Sequence, residues 1–177
     1  MNIKKIIIHC AATPNGKRIG HDPAQVIDRW HKEAGFRRQD AWIAKYNSNC
    51  KYIGYHWVID VDGVAYPGRY YAERGAHTKG HNEGSIGICL VGTDKFTLEQ
   101  WEKLQQFVEG FELSFPGATI HGHNEFSNKI CPGFNVADWE VNLKPLQNHL
   151  CASVTSNDFI PGFDYMLDDA EDDPQDT

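Results

Sequence analysis

Two histidines and a cysteine have the residue types and spacing of a zinc site. His123 and Cys131 fall within a stretch of nine residues, with Lys129 between them. His9 ends the apolar run Ile6–Ile8, and a residue between a strand and a loop is where sites on α/β sheets usually form. Imidazole nitrogen and thiolate sulfur are zinc ligands. Three of them leave a fourth position for water, as in catalytic zinc sites.

The residue types alone leave a second interpretation open. No two of these residues have the tight spacing of zinc-finger ligands, and a single histidine is more often structural than metal-bound. A buried thiol is also common in protein cores. Without agreement elsewhere in the chain, unconnected core residues would be the preferred interpretation.

Seven ordered segments supply that agreement. They are Ile8–Thr13, Trp30–Phe36, Gly54–Ile59, Asp62–Arg69, Gly75–Asn82, Ser85–Gly92, and Gly122–Glu125 with Lys129–Pro132. Together they resemble the zinc-dependent N-acetylmuramoyl-L-alanine amidases, the family shared by amidase-type phage lysozymes and peptidoglycan recognition proteins. The resemblance spans most of residues 3–145 and includes every metal ligand that the family motif requires.

The resemblance implies a reaction, a cofactor and a set of site residues. Matching the family motif position by position makes His9, His123 and Cys131 the zinc ligands. The implied reaction is hydrolysis of the amide between N-acetylmuramic acid and L-alanine in bacterial peptidoglycan, and zinc suits it because the ion polarises a carbonyl and acidifies bound water. Tyr55 matches the family tyrosine that lies near this water. Lys129 matches a lysine that could stabilise the oxyanion of the tetrahedral intermediate.

Three further residues are assigned to substrate binding. His77 and Asn82 match the family segment that lines the groove, and His77 could also contact the reacting carbonyl. Arg69 offers a bidentate fork to a carboxylate of the stem peptide, although a surface salt bridge explains it equally well. Of the other histidines, His31 is expected to pack around the first helix and His56 to support the fold or the site.

Local signals predict the elements that must position these residues. Asp22, Pro23 and Gln25 mark a helix start, and Thr97 with Gln100 forms a capping box before a helical apolar stripe. Apolar runs predict strands, with a hairpin turn at the Asp-Gly pair of positions 62 and 63. The predicted strands cover 4–10, 54–61, 64–67, 85–91 and 118–121.

These elements predict an α/β fold made of a single domain. Strands alternate with helices, and the hairpin makes part of the sheet antiparallel, so a central mixed β-sheet flanked by helices is expected. The resemblance implies the same fold, with the zinc site in a surface groove. A last apolar stripe runs from Val136 to Leu150, and Pro145 within it is expected to kink or split its helix.

The chain is predicted to divide into an amidase domain at 1–151, with an insertion at 37–53, and an acidic tail at 152–177. The tail holds eight acidic residues and no Lys or Arg, and this like charge predicts partial disorder. The domain itself carries 17 basic and 16 acidic residues, a balance that gives no reason to expect nucleic acid as a partner. The insertion is rich in basic and aromatic residues, which suits either a loop that contacts the anionic wall or a surface segment anchored by Trp42 and Ile43.

Composition and motifs also predict where the protein works. The N-terminal apolar run is too short for a signal peptide, and no run is long enough to span a membrane. The five cysteines show no disulfide spacing, which agrees with a reducing compartment. With peptidoglycan as its partner, the chain is expected to be a monomeric endolysin that stays in the host cytoplasm until lysis.

Three other functions were weighed against this one. Family members that only bind peptidoglycan typically lack the ligand cysteine, whereas Cys131 is present here. A recycling amidase for soluble muropeptides is similar to this chain but uses an aspartate as its third ligand. A regulatory role through a protein partner, such as RNA polymerase, could coexist with amidase activity.

Overall fold

The first strand in the chain lies inside a five-stranded sheet. The computed structural model describes residues 2–152. The strands in this range are β1 (Lys5–Cys10), β2 (Trp57–Ile59), β3 (Ala65–Pro67), β4 (Ser85–Leu90) and β5 (Thr119–Gly122). Their order is β3-β2-β4-β1-β5. β1 pairs in parallel with β4 and β5, and β3 runs antiparallel to β2, so the predicted mixed sheet is confirmed.

Helices cover both faces of this sheet. They are α1 (Pro23–Glu33), α2 (Asp40–Lys45), α3 (Leu98–Ser114) and α4 (Val136–Glu140). Ile27 of α1 packs in one core, whereas Trp101 of α3 and Trp139 of α4 pack in the other. Because side chains alternate along a strand, Ile8 enters the α3 core and the neighbouring His9 faces the α1 side. Among the described helices, none is long and apolar enough to cross a membrane.

Both predicted helix starts are confirmed. Asp22 caps α1 by accepting a hydrogen bond from the Gln25 N–H at 3.1 Å, and Pro23 takes the first helical position. Thr97 accepts from the Gln100 N–H at 3.2 Å, while the Gln100 side chain accepts from the Thr97 N–H at 3.0 Å. These contacts satisfy amide groups that have no partner in a first helical turn. Local chemistry therefore fixes where α1 and α3 begin.

The predicted hairpin is also confirmed. Gly63 adopts a φ of 75°, a left-handed conformation that costs glycine little. The Asp60 N–H donates to the Val64 carbonyl at 2.9 Å and closes the turn between β2 and β3. Arg18, in the loop after β1, pairs with the carboxylates of Asp60 and Asp62. The hairpin is thereby tied to the loop that follows His9.

The last apolar stripe is not one helix. α4 ends at Glu140, and the chain continues through turns to a short 3-10 helix, Gln147–His149. Pro145 explains the early end, because its ring excludes a hydrogen bond to the Val141 carbonyl and disfavours helical backbone at Lys144. The apolar side chains that follow still pack against the α3 core: Leu143, Leu146 and Leu150. The split expected from Pro145 is therefore confirmed.

The insertion is held to the domain by a buried arginine. Arg38, only 6% exposed, makes a bidentate ion pair with Glu73 at 2.9 and 2.7 Å. Its remaining donors bind carbonyl groups inside the insertion, those of Tyr46, Asn47 and Cys50. Trp42 on α2 packs against Tyr70, with 5.7 Å between ring centroids. The insertion therefore contains an anchored short helix, and one of its four basic residues points inward.

Candidate active site

The carboxyl ends of β1 and β5 bring the three predicted zinc ligands together. His9 lies on β1, His123 follows β5 directly, and Cys131 lies in the loop beyond. Their ligand atoms all lie within 4.8 Å of one another, and His9 Nδ1 is 3.8 Å from Cys131 Sγ. Ligands on a tetrahedral zinc ion are roughly 3.3–3.6 Å apart, given zinc–ligand bonds of about 2.0–2.3 Å. The three residues therefore fit a zinc ion with only small movements.

Hydrogen bonds shape the loop that carries two of these ligands. The Asn124 N–H donates to the Cys131 carbonyl at 2.7 Å, and the Gly122 N–H donates to the Glu125 carboxylate at 2.8 Å. The Cys10 N–H, at the end of β1, donates to Cys131 Sγ at 3.1 Å. A backbone donor aimed at the sulfur favours its thiolate form, which is the form that binds metal. The loop is thus fastened to the strand that carries His9.

Burial sets the protonation of the ligands when no cation is bound. Desolvation, together with neighbouring histidines such as His123, holds the pKa of His9 well below its usual value. Desolvation and the neighbouring Cys10 thiol raise the pKa of the Cys131 thiol well above its usual value. Without a cation, His9 is therefore a neutral imidazole and Cys131 a neutral thiol. A divalent cation would replace the thiol proton, so metal binding at this site should release a proton.

Tyr55 lies beside the ligand His9. It is 5% exposed, and its ring centroid is 5.1 Å from that of His9. On its other side the ring of His31 lies 5.3 Å away, and His31 Nδ1 accepts a hydrogen bond from the Gly54 N–H at 2.8 Å. α1 therefore contributes a histidine to the wall around Tyr55. Apart from the presence of His31 in a matching segment, no sequence pattern predicted this contact.

Lys129 lies in the ligand loop, two residues before Cys131. The side chain is half-buried, and its positive charge contributes to the lowered pKa of His9. The ammonium group is thus close enough to the cluster to act on charge that develops there.

His77 and Asn82, predicted to bind substrate, form hydrogen bonds inside the protein. They are only 2% and 3% exposed. His77 Nδ1 lies 3.1 Å from His9 Nε2. The Asn82 side-chain oxygen accepts hydrogen bonds from the N–H groups of His77 and Thr78, both at 2.8 Å. His77 therefore contacts a predicted ligand from behind, and Asn82 fixes the backbone that carries His77.

Arg69 is buried, so the surface salt bridge predicted as its alternative role is wrong. Its guanidinium donates to three backbone carbonyl groups, those of Ile53 at 2.6 Å, Arg74 at 2.6 Å and Arg37 at 3.0 Å. Burial lowers its pKa to about 10. Its Nε also lies 3.8 Å from the Glu73 carboxylate, so its ion pair is inside the protein. Arg69 thus holds the segment that leads into Tyr55.

Two hydroxyl residues near the ligands were missed from the sequence. Thr78 Oγ1 lies 3.3 Å from His9 Nε2, and Ser85 Oγ lies 3.3 Å from His77 Nε2. Both fall inside matching segments. Serine and threonine are too common for residue type alone to mark them, and their contacts depend on how β4 pairs with β1.

Comparison with known sequences agrees with this geometry. The family model described as N-acetylmuramoyl-L-alanine amidase matches residues 1–134. The endolysin of Escherichia phage T7 is 34% identical over 142 residues, which cover 76% of this chain and 83% of that protein.

Solved structures share the fold. The N-acetylmuramoyl-L-alanine amidase LysC from Clostridium intestinale superposes with a TM-score of 0.64 at 24% identity, covering 81% of this chain and 86% of that one. The ectodomain complex of peptidoglycan recognition proteins LCa and LCx, bound to tracheal cytotoxin, gives a TM-score of 0.61 at 24% identity. That match covers 85% of this chain and 86% of the other.

Proposed function

This chain belongs to the N-acetylmuramoyl-L-alanine amidase family, and we propose that it is a zinc-dependent enzyme that cleaves the amide between N-acetylmuramic acid and L-alanine in peptidoglycan. The observation that carries the proposal is the convergence of His9, His123 and Cys131, with ligand atoms within 4.8 Å, beside Tyr55. A site that only bound peptidoglycan would have no use for a thiol among its metal-binding residues, and Cys131 therefore favours catalysis.

The donor set suits this reaction. His9, His123 and Cys131 would hold the ion and leave a fourth position open. Bound zinc would act as a Lewis acid, which answers the weakness of an amide carbonyl as an electrophile and of neutral water as a nucleophile. The thiolate of Cys131 cancels one positive charge, so the reaction has more need of nearby hydrogen-bonding and charged groups.

Tyr55 and Lys129 would supply those groups. The Tyr55 hydroxyl would hydrogen-bond the attacking water and orient it toward the carbonyl carbon. The Lys129 ammonium would stabilise the negative charge that develops on the carbonyl oxygen in the transition state, a type of electrostatic contribution that is often the largest in amide hydrolysis. Both residues act beside the ligands without being ligands themselves.

We further propose that the protein acts as an endolysin. Its relative from phage T7 carries that name, and the wall substrate lies outside the cell that makes the enzyme. The protein would stay in the host cytoplasm until the membrane is breached. Cells that express it should therefore keep their turbidity until the membrane is permeabilised, and lysis without permeabilisation would contradict this route.

Mass spectrometry of digested peptidoglycan tests the bond that is cleaved. Purified sacculi treated with the enzyme should release stem peptides that have a free N-terminal alanine and leave intact glycan strands. A Cys131→Ala variant treated identically serves as the control and should release none. New reducing sugar ends without new alanine amines would identify a glycosidase and overturn the proposal.

A further inference from the structure

The side of His9 that faces away from the other ligands meets a buried chain of polar groups. His9 Nδ1 points toward Cys131, whereas His9 Nε2 lies 3.1 Å from His77 Nδ1. His77 Nε2 lies 3.3 Å from Ser85 Oγ, which lies 3.1 Å from the Asn82 carbonyl oxygen. The four residues of this chain are between 0% and 3% exposed, so water does not compete for their hydrogen bonds.

The last acceptor fixes the direction of every hydrogen bond in this chain. The carbonyl oxygen of Asn82 can only accept, so the Ser85 hydroxyl donates to it. Ser85 Oγ then accepts from His77 Nε2–H, which leaves His77 Nδ1 with a lone pair. That lone pair accepts from His9 Nε2–H. With its proton on Nε2, His9 presents a bare Nδ1 on the side of Cys131.

The reverse arrangement leaves a contact without a proton. If the Ser85 hydroxyl donated to His77 Nε2, Ser85 Oγ and the Asn82 carbonyl would be two acceptors only 3.1 Å apart. His77 Nδ1 would then carry the proton, and donating it to His9 Nε2 would move the proton of His9 to Nδ1. If His77 Nδ1 donated instead to Thr78 Oγ1, a proton kept on His9 Nε2 would face it as a second donor at 3.1 Å. An imidazole protonated on Nδ1 cannot donate that nitrogen's electron pair to a metal.

We propose that His77 is a positioning residue which, together with Ser85, holds His9 in the Nε2–H tautomer and so directs the Nδ1 lone pair to zinc. This inference rests on the proposed function, because it takes His9 as a zinc ligand.

The surroundings of His77 keep its ring in the required plane. A Cβ atom at Gly75 or Gly87 would lie 2.5–2.6 Å from His77 ring atoms, so the absence of side chains there lets the ring fit. The Asn82 side chain holds the backbone of His77, and Thr78 Oγ1 lies 3.1 Å from His77 Nδ1. Ring plane and nitrogen positions are therefore set by the fold, whether or not a metal is bound.

The tautomers can be read directly by NMR. In the zinc-loaded protein labelled with ¹⁵N-histidine, we expect His9 to carry a proton on Nε2 and metal on Nδ1. His77 should be neutral, with its proton on Nε2 and none on Nδ1. A proton on His77 Nδ1, or zinc on His9 Nε2, would overturn the inference while leaving the zinc site itself intact. If the wild-type protein bound no zinc at all, the proposed function would fail instead.

Zinc affinity of the folded variants gives a second test that does not depend on activity. His77→Leu removes the acceptor for His9 and should weaken zinc binding by roughly 10–100-fold, the usual effect of losing such a partner. His77→Asn, whose side-chain oxygen can occupy the Nδ1 position, should recover most of this loss. His81→Leu, which removes a histidine outside the chain of hydrogen bonds, should bind zinc like the wild type. Wild-type affinity in a folded His77→Leu variant would overturn the inference.

Discussion

Tyr55 and Lys129 are the residues on which turnover, as distinct from metal binding, should depend. Tyr55→Phe and Lys129→Ala should keep zinc and fold yet lose on the order of 100-fold or more in kcat, the usual cost of losing one stabiliser of transition-state charge. Tyr66→Phe is a matched control. It also removes one tyrosine hydroxyl, but that hydroxyl donates to the His21 carbonyl and not to the site. Turnover on peptidoglycan and zinc content would be measured together. Near wild-type kcat in both site variants would remove Tyr55 and Lys129 from the mechanism.

Cys131 should decide whether the protein holds metal. We expect Cys131→Ala and His123→Ala to lose zinc and activity together, because two remaining ligands cannot close a tetrahedral site. Cys151→Ala is the matched control, since Cys151 is also a half-buried thiol but lies beside Phe96. Elemental analysis gives the metal content. Stoichiometric zinc in the two ligand variants would show that the ligand set is wrong.

At the scale of single residues, the motifs predicted which residues form the site better than they predicted where the side chains point. His9, His123 and Cys131 could be named because their residue types match both zinc chemistry and the family pattern. His77, Asn82 and Arg69 were placed in the right region, but their internal hydrogen bonds were not predicted. A sequence does not show whether a polar side chain points to solvent or is satisfied inside, and here backbone groups and other side chains take up their donors and acceptors.

At the scale of helices and strands, features set by neighbouring residues were predictable, and features set by distant contacts were not. The starts of α1 and α3 could be predicted because a cap is made within four residues. The break after α4 could also be predicted from Pro145, but its exact end could not, because the apolar spacing continues to Leu150. Likewise the composition of segment 37–53 showed its basic and aromatic residues, but the inward turn of Arg38 depends on Glu73, which lies 35 residues away.

His56, which connects β4 to the segment after β3, should make the free energy of unfolding depend on pH. His56 Nδ1 accepts from the Gly87 N–H and His56 Nε2 donates to the Glu73 carbonyl, both at 2.9 Å, so the neutral ring is required. Burial lowers the pKa of His56 from 6.5 to about 4. The unfolded chain therefore binds more protons between these values, and the free energy of unfolding falls as pH drops from about 6.5 toward 4.

A His56→Asn variant isolates this effect. Between pH 7 and pH 5 the wild type should lose about 2 kcal/mol more of its free energy of unfolding than the variant loses. The variant should be less stable at neutral pH, because it gives up one of the two hydrogen bonds. Urea unfolding of both proteins at several pH values, under the same metal conditions, measures the difference. Equal losses in the two proteins would mean that His56 is not held neutral.

At the scale of the whole molecule, the predicted acidic tail begins at residue 152 and all but its first residue lies outside the described range. All proposed catalytic residues precede it. Deleting residues 158–177 should therefore leave amidase activity on purified peptidoglycan largely intact. A chain ending at Ala118, which lacks β5 and two ligands, is the inactive control. A collapse of activity in the first deletion, with circular dichroism still showing a folded domain, would mean that the tail helps to build the site.

The fold class was predictable from the sequence, whereas the strand order was not. Alternating strands and helices with one hairpin require a mixed sheet, but they do not say which strands are neighbours. The neighbours depend on contacts between segments far apart in the chain, such as those that place β1 between β4 and β5.

The inner position of β1 has a consequence for how the protein is made. β1 is made before both of its partner strands, which begin only at Ser85 and Thr119. The backbone hydrogen bonds of β1 therefore form only after most of the chain has been made. Pairing over such separations is slow because a long loop must close first. Metal-binding capacity waits even longer, until Cys131 has emerged. Chains whose synthesis stops before Cys131 therefore lack one of the three proposed ligands and should bind no zinc.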